Sequence, residues 1–212
     1  MPIRNLLLAA ALATALASGA AGAQNLPKPN EFYFDADAQT VKPVIAVRET
    51  GEAAMERLAK ILERKAHAPN EAAQLGHLAM EAGRNELGRQ LYARALREVD
   101  SGSTYWRSIT WNYAWDLYRS GAGEEAFKQW TTLHNARTVN ASWMPPTYAV
   151  ALWTLGRKDE AVQWYAAAVR SEPDQWRDTS AYTSLLPDWR AADRATLAEV
   201  QKAWAANPPV WP

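Results

Sequence analysis

Few side chains in this sequence could do chemistry, and none falls into a reactive pattern. His67, His77 and His134 are its three histidines, and it has no cysteine. His77 and Glu81 stand four apart, one above the other on a helix face. A single His–Glu pair falls short of the three or four ligands of a zinc site, so it reads as a solvated contact. Asp35 and Asp37 have the spacing that opens a calcium loop. Thr40 stands where such a loop needs glycine and Ala46 where it needs its closing acid, which leaves a solvated turn. Gly121-Ala122-Gly123-Glu124-Glu125-Ala126 has the glycine spacing of a dinucleotide loop, but it follows a helical pattern rather than a strand. Two glutamates would also face the phosphates. No serine sits in a nucleophile elbow. Asn140-Ala141-Ser142 is an acceptor for N-glycans only in a eukaryotic secretory route. The expectation is a protein that is not an enzyme and carries no cofactor and no metal.

What the chain has in excess is tryptophan: eleven, all beyond residue 100. Such density means a core, a binding surface or both. Charge points to no polyanionic partner. The 23 basic and 23 acidic residues balance, giving no reason to expect nucleic acid or an anionic membrane surface. Residues 1–23 hold Arg4, an apolar stretch from Leu6 to Ala17, and Ala21-Gly22-Ala23. That is the pattern of a secretory signal with its cleavage site, too short to span a bilayer. Cleavage before Gln24 is expected, and no cysteine follows for lipidation. The mature protein is then exported, periplasmic if bacterial and otherwise secreted, with no membrane span. A core of this length can be stable without disulfides.

The elements that must position the tryptophans are helices in pairs. Over 24–50, Pro27, Pro29 and Pro43 interrupt any helix, and Phe32-Tyr33-Phe34 and Val44-Ile45-Ala46-Val47 favour extended structure. This segment either forms a hairpin or lies extended against the helices. A helix is predicted over 52–67, burying Met55, Leu58, Ala59, Ile61 and Leu62. Three helical pairs follow: 71–82 with 86–99, 104–120 with 124–136, and 143–155 with 159–171. They are hinged at Gly83, at Gly121 to Gly123, and at Gly156. The hinges lie 38 and 35 residues apart. Five residues after each hinge stands a small residue (Gly88, Ala126, Ala161), nine after it an aromatic (Tyr92, Trp130, Tyr165), and twelve after it an apolar one (Ala95, Leu133, Ala168).

With Leu75-Gly76, Tyr113-Ala114 and Tyr148-Ala149 as bulky-then-small pairs in the first helices, residues 70–173 resemble the tetratricopeptide repeat (TPR) family. The third repeat matches best and alone keeps the closing proline, Pro173; Asp100 and Thr138 stand there in the others. Ala72, Thr110 and Pro145 replace the family's early tryptophan, so the repeats are divergent. A related helical-hairpin array of Sel1-like type is the competing resemblance. The resemblance implies an all-α, right-handed α-solenoid. Its organisation is a signal peptide (1–23), an extended or β N-terminal segment (24–50), a leading helix (51–69) and three repeats (70–103, 104–141, 142–173). Residues 174–212 are expected to form a capping helix opened by Pro187, with Trp189, Leu197, Val200 and Trp204 on one face, and a Pro-rich tail in which Trp211 either tucks back or is disordered, a ligand for another domain being the alternative.

In that family the first helix of each hairpin lines a concave groove that binds a peptide or partner helix. Carried over by position, the groove residues are His77 and Met80, then Trp111, Trp115, Tyr118 and Arg119, then Trp143, Val150 and Trp153. Trp111, Trp115 and Tyr118 are four and three apart and form one stripe, while Ile109, Tyr113, Ala114 and Leu117 need burial on another side. The stripe therefore lines an open groove or is covered by segment 24–50. The expected function is non-catalytic binding of a peptide or protein partner. A structural subunit of an envelope assembly, or a carrier of a flat apolar or sugar ligand, are the alternatives.

Overall fold

Apolar periodicity makes the helices, and glycine or proline stops them. The structure, a computed structural model, describes Leu26, Pro29 and residues 34–210. The leader over 1–23, Phe32, Tyr33 and Trp211 lie outside the described residues. Among the described residues the architecture is all-helical, ten helices with no strand. Helix α1 (Gly51–Arg64) is followed by α2 (Pro69–Glu81) with α3 (Asn85–Arg97), α4 (Thr104–Arg119) with α5 (Gly123–Asn135), and α6 (Met144–Thr154) with α7 (Lys158–Ser171). Each of these three pairs packs side by side. Two single-turn helices, α8 (Pro173–Trp176) and α9 (Tyr182–Leu185), lead to α10 (Ala191–Ala206), which lies on α6 and α7.

The three hinges share one backbone turn. Gly83, Gly121 and Gly156 have φ of 76°, 86° and 77°. Each donates its N–H to the carbonyl three residues back (Met80, Tyr118, Trp153) at 3.0–3.1 Å. The next residue donates to the carbonyl five back (Ala79, Leu117, Leu152) at 2.8–2.9 Å. These two hydrogen bonds satisfy carbonyls that a helix end leaves orphaned, and they require a left-handed residue. Beyond Gly156 and its two chain neighbours, no heavy atom of the described residues lies within 4 Å of where a Cβ would stand, so only the local backbone opposes a side chain there. Gly156→Val is expected to cost about 1–2 kcal/mol, read as a lower thermal midpoint; an unchanged midpoint would show that the hairpin tolerates another turn. Gly88 is small for a different reason. A Cβ there would meet Met80 and come within 2.9 Å of the Gly76 carbonyl oxygen, where α3 crosses close over α2.

The spaced positions after each hinge form the spine of the core. Tyr92, Trp130 and Tyr165 are fully buried, and so are Ala95, Leu133, Ala126 and Ala161. Helix α6 is buried from Met144 to Leu152, because α5, α7 and α10 surround it. A helix with no charged residue and apolar side chains all round has no face to offer solvent.

Several boundaries differ from those the sequence predicts. The leading helix ends at Arg64, since Lys65 is extended (φ −111°, ψ 120°) and Pro69 opens the next helix. The last helix does not open at Pro187. Arg190 is extended (φ −68°, ψ 157°), and the Asp193 carboxylate accepts its N–H at 2.9 Å, so Pro187 belongs to the loop before the cap. Trp189 therefore precedes α10, while Leu197 and Val200 are buried on it. Residues 34–50 form no hairpin. They run along the helices with one isolated parallel bridge, Asp35 to Ala141.

Candidate functional site

A cavity of about 970 Å³ lies over the first helices of the three pairs. Its floor is His77 and Glu81 on α2, Trp111, Trp115, Asp116 and Arg119 on α4, and Trp143 with Thr147 at the start of α6. One wall is the N-terminal segment, with Val41 and Val44 facing in. The other is the chain from Glu172 through Trp176 to Arg190.

Side-chain-to-backbone bonds fix the N-terminal wall. Gln74 Oε1 accepts the N–H groups of Ala46 and Val47 at 2.7 and 2.8 Å, and its Nε2 donates to the Val47 carbonyl at 2.9 Å. Asn112 Nδ2 donates to the Lys42 carbonyl at 2.9 Å. Asp35 and Asp37 both hold Arg137, at 2.6 and 2.8 Å, and Asp37 also accepts the Trp143 indole N–H at 3.0 Å. The solvated turn expected at these aspartates is thus a docking point: the Arg137 guanidinium and the Trp143 N–H converge on Asp37 and draw its carboxylate out of water.

The C-terminal wall is held by stacking and ion pairs. The Trp189 ring centroid is 4.6 Å from that of Trp115. Arg119 donates to Asp193 at 2.9 Å and lies 5.0 Å over the Trp115 ring; Arg190 donates to Glu81 at 2.9 Å. The Tyr165 hydroxyl meets the Tyr182 hydroxyl at 2.6 Å and the Trp176 carbonyl at 2.5 Å.

A buried polar cluster underlies the floor. Asp116, on the apolar helix α4, accepts the Tyr92 hydroxyl at 2.6 Å and faces His77 Nδ1 at 3.0 Å through both oxygens. Burial, then the Asp116 charge, pushes the Tyr92 pKa well up, so that hydroxyl remains a donor. Burial lowers the His77 pKa, but the hydrogen bond and charge of Asp116 outweigh it, with Glu81 adding and Arg119 opposing, and the net shift is upward. His77 Nε2 faces Glu81 at 3.6 Å. The pair expected to be a solvated contact therefore has a third member across the helix boundary. Both imidazole nitrogens point to carboxylates, an arrangement that anchors two helix pairs.

Of the nine residues expected in the groove, His77, Trp111, Trp115, Arg119 and Trp143 line the cavity together. The other four do not, and each has a reason. Met80 packs against Gly88 between α2 and α3. The Tyr118 hydroxyl bonds Thr154 at 3.0 Å and its ring packs edge-on against Trp115. Val150 is fully buried on α6. Trp153 donates its indole N–H to Glu199 on α10 at 2.9 Å, with Lys158 4.7 Å from its ring. The capping helix takes the place that an open groove would have left to Trp153. The expected hinges Gly83, Gly121 and Gly156 stand at the three turns. Sequence reasoning missed Asp116, Trp176 and the loop at Trp189. The signal for Asp116 was available, a lone acid between Trp115 and Leu117 on a helix apolar on two sides. Searches against protein-family models, curated proteins and solved structures find no match to this chain.

Proposed function

We propose that the chain is an exported, non-catalytic binding module, a right-handed α-solenoid of TPR-like hairpins that receives a peptide segment of a partner protein. The three equivalent hinge turns and the buried residues at matching positions support the repeat reading. The observation that carries the function is the cavity of about 970 Å³ on the face built from the first helices, bounded by two non-helical walls. Its volume is in the range of ligand sites, and indole and aliphatic side chains share its lining with charged and amide ones. A flat sugar stacking on an indole needs a bare ring face. Trp111, Trp115, Trp143, Trp176 and Trp189 are each only 5–8% exposed, which favours a narrow peptide over a flat ring.

The test is selection of displayed random-sequence peptides on the protein starting at Gln24. Ser171, half-buried on the cavity wall, is the control position. Ser171→Trp puts an indole into the cavity and is expected to weaken selected peptides about tenfold or more, the scale of a lost hot-spot contact. Equal binding to both proteins, or no selection at all, would refute this reading.

A further inference from the structure

The charges around the cavity are unbalanced, and the imbalance specifies an occupant. Four carboxylates line it, Glu81, Asp116, Glu172 and Asp188, against two guanidiniums, Arg119 and Arg190. Both guanidiniums are already committed, Arg190 to Glu81 and Arg119 to Asp193, which lies just outside the lining. Asp116 is committed to Tyr92 and His77. Glu172 and Asp188 remain: both are exposed, and among the described residues neither side chain has a hydrogen-bond or ion-pair partner. They stand on the same wall, Glu172 at the start of α8 and Asp188 directly before Trp189. Val41 and Val44 on the opposite wall and Leu186 on the same one are apolar.

We infer that the cavity takes a basic side chain, the ammonium or guanidinium of a lysine or arginine within an extended peptide; this rests on the peptide-binding reading above. The long apolar stem of such a side chain packs on aliphatic wall while its charged head stays at the wet rim. The head there meets uncommitted carboxylates, and charge-assisted hydrogen bonds are the stronger kind. An acidic side chain in the same place would meet two like charges and, among the described lining residues, no uncommitted guanidinium, which discriminates against it.

Three peptides differing at one central position, lysine, norleucine or glutamate in an alanine context, test this by titration against the intrinsic tryptophan fluorescence of the protein starting at Gln24. The lysine peptide is expected to bind at least about tenfold more tightly than norleucine, one charge-assisted contact converted to affinity. Its binding is expected to weaken with added salt, and the glutamate peptide to bind least. Glu172→Gln combined with Asp188→Asn changes only exposed groups; it is expected to erase the preference for lysine while leaving the thermal midpoint unchanged. Norleucine binding as well as lysine would overturn the inference and leave the peptide-binding reading standing. Equal preference for lysine in the double variant, or no binding by any of the three at millimolar concentration, would also overturn it. Failure of the displayed-peptide selection would instead remove the reading on which it rests.

Discussion

Trp115→Ala is expected to lower the free energy of unfolding by about 3–5 kcal/mol, the range for deleting a buried aromatic. The indole is 5% exposed and holds several parts of the molecule at once. It lies edge-on to Trp130 at 5.2 Å and to Trp189 at 4.6 Å, and carries the Arg119 guanidinium on its ring. Removing it leaves a void under the C-terminal wall and frees the loop that carries Trp189. The denaturant midpoint should fall while the slope of the transition stays unchanged, since the surface exposed on unfolding is nearly the same. An interface residue behaves differently: truncation would leave folding nearly intact and weaken binding alone. A loss under about 1 kcal/mol would place Trp115 in that second class and contradict the packing described here.

What was legible in the sequence was whatever is local and repeats. The hinge glycines could be read because a left-handed turn demands a residue type, and the same demand recurs at Gly83, Gly121 and Gly156. The buried series Tyr92, Trp130, Tyr165 could be read because helical spacing alone sets which face a residue occupies. The cavity was only half legible. Its floor follows from that same spacing, but its walls are non-periodic chain placed by distant partners. Gln74 holds Val47 from 27 residues away and Arg119 reaches Asp193 across 74, pairings that no local pattern announces. Val150 and Trp153 show the converse error. The resemblance assigns them to groove positions, yet α7 and α10 pack on α6, so the expected exposure is removed by tertiary packing.

The buried Asp116 cluster gives the second large effect, and a pH dependence whose sign can be worked out. Asp116 is 3% exposed and joins α4 to both helices of the first pair, through His77 on α2 and Tyr92 on α3. Asp116→Ala leaves the fully buried Tyr92 hydroxyl without an acceptor and His77 without its main partner. A loss of about 3 kcal/mol is expected, as for breaking a buried polar pair from one side. Asp116→Asn keeps an acceptor for Tyr92 and removes the charge, so it should cost less and act mainly on His77. The folded protein raises the His77 pKa above 6.5. The folded state then holds that proton to higher pH than the unfolded chain does, so the contribution is fully present below about pH 6.5 and disappears as pH rises through the folded value. No energy follows from the shift itself, because the side chain is 36% exposed and solvent screens it. His134 works in the opposite sense. Burial lowers its pKa, so its contribution is present above about pH 6.5 and lost as pH falls through the folded value. The wild-type curve mixes the two, and only a difference isolates His77. Urea unfolding of wild type and His77→Gln at a series of pH values should show the stability advantage of wild type shrinking as pH rises above about 6.5. Asp116→Asn should flatten that trend, since the charge that raises the imidazole is gone. An advantage that grew with pH would mean that His77 is buried as the neutral base, with Asp116 held by Tyr92 alone.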